Sequence, residues 1–234
     1  MAPRRPLLGA ITPHHDVAAP LMEELYARLA EQLPSPERIL LISPDHFRRG
    51  WSPITLRGAP WDDAAWGSLP ADGAGAGALL RAGAARRQDD IFTGEHGITE
   101  HIPRIRSAFG QVPILPVMVR GEATDLQILA AARAMVPLLE RGGLVLLSMD
   151  FSHYKPAAEA RREDGRSMET IGGFQFNRLN GLDVDSVRGL RLFLLIMRLT
   201  GCTKSAVLGT GNSDDFMAPS SRTTGYATMI FSGR

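Results

Sequence analysis

Six histidines occur in the 234 residues, at positions 14, 15, 46, 96, 101 and 153. Five of them follow an apolar run or stand in a short polar loop, where an imidazole can ligate a metal ion or carry a proton. Asp150 and His153 close the segment 144–154, LVLLSMDFSHY. An acceptor-only carboxylate three residues from an imidazole suits acid–base work, because the carboxylate can fix the ring's tautomer or share its proton. Neutral imidazoles at His14 and His46 suit iron, copper, nickel or zinc, and a third donor is then needed. Asp16, Asp45, Glu95, Asp150 and Asp185 are the carboxylates in reach of such a role. Two histidines and one carboxylate with open positions form the ligand set of non-haem iron(II) oxygenases. No fixed-gap metal motif such as H-E-x-x-H is present.

Positioning these side chains requires strands that end at one edge. Residues 6–12 read as a first strand that empties into Pro13-His14-His15-Asp16, and 38–43 (RILLIS) as a second that ends in Pro44-Asp45-His46. Between them Leu21, Leu25, Leu29 and Leu33 repeat at helical period up to Pro34. Strand, helix and strand make a βαβ unit whose strands are parallel, so His14 and His46 emerge at the same end of the sheet. Residues 144–148 form the pattern of a strand buried on both faces, which sends Asp150 and His153 toward the ligand crevice. A third buried strand, 113–119 (PILPVMV), contains Pro116 and is therefore expected at an edge or a bulge. Helices are expected over 71–87, 98–109, 125–139, 155–169 and 183–200, the last with Asp185 near its start and Gly201 as its cap. Residues 52–57 suggest a short strand, and 61–66 are too irregular to assign. Strands at 205–208 and 225–231 flank a polar loop over 209–215, where Asn212 and Ser213 are candidates for the pocket wall with His15, Asp45, Glu95 and His96.

Plainer roles compete for the same residues. His14 and His15 could serve only their turn, His46 could pair with Asp45, and Glu95 or His96 could cap the helix that follows. His101 sits beside Ile102 and Ile105 and reads as a buried structural histidine. A serine hydrolase would use Ser148, Ser152 or Ser213 with His153 and Asp150 or Asp214, but no G-x-S-x-G elbow exists to present the nucleophile. Nucleotide binding is weaker, as Gly209-Thr210-Gly211 lacks a third glycine and a Walker lysine.

A chain of this length with 44% hydrophobic residues can bury one core, and a single α/β domain spanning 1–234 is expected. Twenty-six basic against 25 acidic residues leave a formal charge of +1, so the balance gives no reason to expect nucleic acid or a membrane as partner. One cysteine, Cys202, excludes an internal disulfide and any multi-cysteine zinc site, which fits a cytoplasmic setting. Residues 1–8 are basic, but Thr12, Pro13 and two histidines break the apolar stretch a signal peptide needs. No window approaches the ~20 apolar residues of a membrane span.

In order along the chain, Pro13-His14, Ser43-Pro44-Asp45-His46, Glu95-His96-Gly97-Ile98, Pro113-Ile114-Leu115-Pro116-Val117 and Ser148-Met149-Asp150-Phe151-Ser152-His153-Tyr154 resemble the Memo family, also called AmmeMemoRadiSam system protein B. Thr224-Gly225-Tyr226-Ala227 looks like that family's last strand. The resemblance implies the fold of the class III extradiol ring-cleaving dioxygenases, a mostly parallel sheet between helices with a metal pocket at one edge. It implies that His14 and His46 are metal ligands, that His153 is the acid–base histidine, and that Asp150, Glu95 and His96 line the pocket. Iron(II) is the favoured ion, with copper or zinc as alternatives. The implied activity is oxidation of a small polar or aromatic molecule; a non-catalytic module for a peptide or small ligand, acting with radical-SAM partner proteins, is the other implication. The third ligand departs from the pattern. A cysteine in Memo proteins and a glutamate in the dioxygenases align with Val184-Asp185-Ser186-Val187 here, so Asp185 replaces the ligand or Ser186 stands in its place without binding.

Overall fold

Runs of β-branched and leucine side chains buried on both faces build the centre of the sheet. A computed structural model describes residues 7–64, 67–139 and 142–233. In it β1 (Leu7–Thr12) leads through a 3-10 turn to α1 (Ala19–Gln32) and on to β2 (Ile39–Pro44), as the alternating composition predicts. Pro6, expected in the first strand, and residues 65–66 of the unassigned stretch lie outside the described residues, as do most of residues 1–8. Next come β3 (Ile54–Leu56), a hairpin of β4 (Trp61–Asp63) and β5 (Gly67–Leu69), α2 (Gly73–Arg81), and β6 (Arg86–Arg87). They are followed by α3 (His96–Thr99), α4 (Ile102–Phe109), β7 (Ile114–Val119), α5 (Asp125–Leu139), β8 (Gly143–Ser148) and β9 (His153–Lys155). The chain ends with α6 (Ala157–Gly172), α7 (Val187–Leu199), β10 (Lys204–Asn212), α8 (Ser213–Phe216) and β11 (Thr223–Ser232).

The strands are ordered β10-β11-β1-β8-β2-β7-β3-β6, with β9 paired to β11. The inner four, β1, β8, β2 and β7, are mutually parallel, and antiparallel pairings flank them on both sides. The architecture is thus a single-domain α/β fold with a mostly parallel central sheet. β8 inserts between β1 and β2, so the two strands of the βαβ unit are parallel without touching. One core layer joins the sheet to α5 and α7 through Ile128, Met135, Leu190, Phe193 and Met197. The other lies under α1 and α4, around Leu25, Leu29, Ile98, Ile102 and Ile105. Gly9 on β1 lets α7 approach, because a Cβ there would strike the Met197 sulfur and touch the Phe193 ring. No helix among the described residues is long and apolar enough to cross a membrane.

Several local expectations are corrected. Pro116 is neither at an edge nor at a bulge: β7 lies between β2 and β3. Its carbonyl accepts from the Arg57 amide at 3.0 Å, so the side lacking an N–H faces the point where the three-residue β3 has just ended. The helix expected over 71–87 stops at Arg81, and Arg86–Arg87 pair instead with β3. Residues 98–109 are two helices, not one. The polar stretch 209–212 belongs to β10, templated by β11 as far as Asn212↔Gly225 despite a bulge near Leu208. The helix expected from 183 starts only at Val187, which leaves Asp185 in the loop before it.

Candidate metal centre

Register brings the polar residues together. Thr12 pairs with Ser148 and Ile42 with Leu147, so β1, β8 and β2 end side by side, and His14, Asp150 and His46 each follow two residues beyond a strand end. Asp150 Oδ1 accepts from the His14 amide at 3.2 Å, and the Asp150 amide donates to Asp185 Oδ2 at 3.2 Å. The same carboxylates that face the rings therefore also fasten the loops that carry them.

Each imidazole has a dedicated orienting group. His14 Nδ1 meets Ser148 Oγ at 3.0 Å and His46 Nδ1 meets Glu95 Oε1 at 2.5 Å, which turns the opposite nitrogen of each ring inward. His14 Nε2 stands 3.2 Å and His46 Nε2 3.6 Å from one atom, Asp185 Oδ2. Donors held ~2.1 Å from a tetrahedral ion stand about 3.4 Å apart, so the spacing suits a shared cation. Asp185 Oδ1 is buried without a hydrogen-bond partner, a spare acceptor at the same point. Nitrogens of His14, His46 and His96 also lie within 4.8 Å of one another, as do donor atoms of Asp150, His153 and Asp185, and of His14, His15 and Asp150. The described residues thus contain histidine and aspartate groups close enough to hold a metal ion.

The remaining expected residues divide by task. His15 Nδ1 faces Asp150 Oδ2 at 2.6 Å. Asp150, expected to orient His153, is engaged by His14 and His15 instead, while His153 stays within reach on β9. Hydrogen bonds between Phe151, Ser152 and Gly225, and from the Ser152 amide to Asp164, tie that segment to β11 and α6. Glu95 caps α3 through the Gly97 amide and also accepts from the His46 amide, so the capping and pocket roles belong to one side chain. His96 lies with its ring 4.0 Å from that of His46. Asp45 closes its own turn by accepting from Arg49 and Gly50 rather than pairing with His46. Asn212 caps α8, and Ser213 accepts from the Thr224 amide. His101 is wholly buried and bonded to the Tyr26 hydroxyl, the structural role expected of it. Cys202 is buried in the core beyond α7, remote from the aligned position. Tyr226, buried with its ring 6.1 Å from that of His15, gave no signal in the sequence beyond its place in the last strand.

Electrostatics favour positive charge at the centre. Burial lowers the His14 pKa, but Asp150 and Asp185 more than reverse it and hold it above the usual histidine value. His46 is likewise pulled down by burial, yet Asp185 and Glu95 carry it up to about 9. Burial, reinforced by His46 and His14, pushes His96 down to about 4. Burial works against the charged forms of Asp185 and Glu95, and the imidazoles facing them nonetheless keep both below the ordinary carboxylate range. The carboxylates that hold the His14 and His46 pKa values up would equally stabilise a divalent cation at the same point.

α3 approaches the sheet only because residue 97 has no side chain. A Cβ on Gly97 would strike Ser43 Oγ and crowd Ser148 Oγ, the hydroxyl that orients His14. Gly97→Ala is expected to destabilise the fold by about 1–3 kcal/mol, as overpacking does. A urea midpoint unchanged from wild type would refute that tight approach.

Comparison with known proteins gives a consistent result. The family model described as Memo-like protein matches residues 3–230. A MEMO1 family protein of Methanopyrus kandleri is 25% identical, covering 96% of this chain and 83% of that protein. One from Aquifex aeolicus is 26% identical over 89% of this chain and 79% of its own length. The crystal structure of an uncharacterized protein of Escherichia coli K12 shares the fold, with a TM-score of 0.65 at 13% identity over 96% of this chain and 99% of that one.

Proposed function

We propose that this chain, which belongs to the Memo-like protein family, binds a divalent metal ion on His14, His46 and Asp185 and is an oxidoreductase of the extradiol-dioxygenase kind. Iron(II) is the ion of choice, with copper or zinc as alternatives, and the substrate is a small polar or aromatic molecule. The observation that carries the reading is the convergence of two imidazole Nε2 atoms on one carboxylate oxygen at 3.2 and 3.6 Å. Two histidines and a carboxylate leave positions open, and an ion so held supplies Lewis acidity and redox chemistry to an oxygen-bearing ligand.

The chain's own groups set the stage for that chemistry. Glu95, an acceptor-only carboxylate, takes the His46 Nδ1 proton and Ser148 orients the His14 ring, so that the Nε2 atoms point inward toward a cation. His153, half-buried on β9 with a ring nitrogen within 4.8 Å of oxygens of Asp150 and Asp185, would take a proton from a substrate hydroxyl and return it. Asp150, fully buried, stabilises the positive charge that such a transfer leaves on His153 or His15. A cleft of about 880 Å³ bordered by His46, Asp185 and Asn180 has room for a small aromatic molecule.

Metal analysis after anaerobic purification is the decisive experiment. Wild-type protein is expected to carry about one equivalent of redox-active metal, released when His14 or His46 is replaced by alanine. A protein that takes up no metal, yet binds ligands in the cleft, would overturn the enzymatic reading in favour of a non-catalytic binding module.

A further inference from the structure

Besides the cleft beside His46, a smaller recess of about 340 Å³ adjoins the cluster at His15. Its polar wall consists of His15, Ser213, Ser220, Arg222, Thr224 and Tyr226, and it contains no carboxylate. Arg222 is its one guanidinium. Among the described residues it forms no ion pair; its planar group lies over the Tyr154 ring, 4.9 Å from the centroid. The contrast with the larger cleft is instructive. There Arg120 is tied to Glu122 and to the Gly50 carbonyl, and Arg188 to Asp125 and the Ala123 carbonyl, so their charges are already answered.

The local backbone is shaped to hold Arg222 where it is. Tyr154 has a φ of 60°, a left-handed conformation that a bulky residue adopts only under constraint. The register shift between β9 and β11 at Thr223 and Thr224 supplies that constraint. It directs His153 toward Asp150 and Asp185 while leaving the Tyr154 ring exposed beneath the guanidinium. A stacked guanidinium keeps its N–H fork free and pre-oriented for a planar anion. Hydroxyls of Ser213, Ser220 and Thr224 surround the recess, and Met217 adds an apolar flank.

We propose that this recess is a carboxylate-binding subsite, in which Arg222 holds the anionic end of a small organic acid whose other end reaches the histidine cluster. One guanidinium matches a single negative charge, and its fork can engage both oxygens of a carboxylate. The inference narrows the substrate class proposed above and rests on that reading only for the identity of the far end.

The test is calorimetric titration of the full chain, metal-free and iron(II)-loaded under anaerobic conditions, with 3,4-dihydroxybenzoate, 3,4-dihydroxybenzamide, catechol and inorganic phosphate. The carboxylate is expected to bind roughly tenfold tighter than the amide, the size of one charge-assisted contact at a partly exposed site. Arg222→Gln should erase that difference, Arg222→Lys should restore part of it, and Arg162→Gln, at an exposed position on α6, should leave it intact. Equal affinity for carboxylate and amide, no detectable binding of the carboxylate, a preference for phosphate, or an unchanged preference in Arg222→Gln would each overturn the proposal. Metal stoichiometry is read separately: a chain that takes up no iron but still prefers the carboxylate through Arg222 retains the subsite and loses the metal reading. An iron-loaded chain indifferent to the carboxylate shows the reverse.

Discussion

Asp185→Asn is expected to weaken metal binding by at least about a hundredfold, beyond the range seen when only an outer-shell partner of a ligand is lost. The substitution preserves size and one oxygen acceptor, so the hydrogen bond from the Asp150 amide can persist and the loop before α7 keeps its path. What disappears is the negative charge that both imidazoles face at 3.2 and 3.6 Å. Without it the His14 and His46 rings lose a carboxylate that holds their pKa values up, and the incoming cation loses its only anionic donor in that trio. Competition with a chromophoric chelator measures the change. Affinity within about threefold of wild type, far below one charge-assisted contact, would mean that Asp185 is not a ligand. The third donor would then be His96, whose nitrogen also lies within 4.8 Å of those of His14 and His46. His96→Ala decides between the two, since it should matter little if Asp185 is the donor.

Asp185 also shows where reading from residues alone stops short. Apolar periodicity over 183–200 is genuine, and α7 buries Leu190, Phe193, Leu194 and Met197 from it. Its first residues do not join the helix because the Asp185 amide bonds to the Asp150 carbonyl at 3.3 Å and its side chain bonds back to the Asp150 amide. A tertiary exchange of that kind has no local signature. The strands behind His14, His46 and Asp150 were legible, because a strand buried on both faces must be continuously apolar and these three are. The first half of β10 was legible over 205–208, but its second half was not, since Gly209-Thr210-Gly211 carries no β-forming pattern and is ordered by the partner strand β11. Pro116 misled for a related reason: the rule that keeps proline from inner strands concerns the missing donor, and here that donor would have faced a neighbour that has ended. At the site, the histidines signalled themselves by type. The doubling of Glu95 as helix cap and as orienting group for His46 did not, because spacing alone cannot separate the two roles.

Metal-free protein is expected to be most stable near pH 6.5 and to lose stability on both sides for different reasons. The His46 pKa is raised from 6.5 to about 9 in the folded chain. A raised histidine binds its proton more tightly when folded, so its contribution is complete below pH 6.5 and disappears as pH climbs through about 9. The full difference is on the order of 3 kcal/mol, an upper bound for a ring that water partly reaches. On the acid side the sign reverses. The His96 pKa is lowered to about 4, so between pH 6.5 and 4 the unfolded chain takes up a proton that the folded chain refuses, and folding weakens as pH falls. Glu95, held below its usual range by His46, adds a further loss once pH drops below the ordinary carboxylate value. A bound cation steepens the acid limb, where protons compete for its ligands, and removes the alkaline one. It requires deprotonated His14 and His46, so loaded protein has no imidazolium pairing to lose at pH 9, and its stability should stay level or rise where the metal-free form declines. Thermal melts across pH 4–10, with and without metal, separate these effects. His96→Asn should flatten the acid limb and leave the alkaline one in place. An alkaline decline identical in metal-free and loaded protein would show that His46 does not exchange its proton for a metal ion.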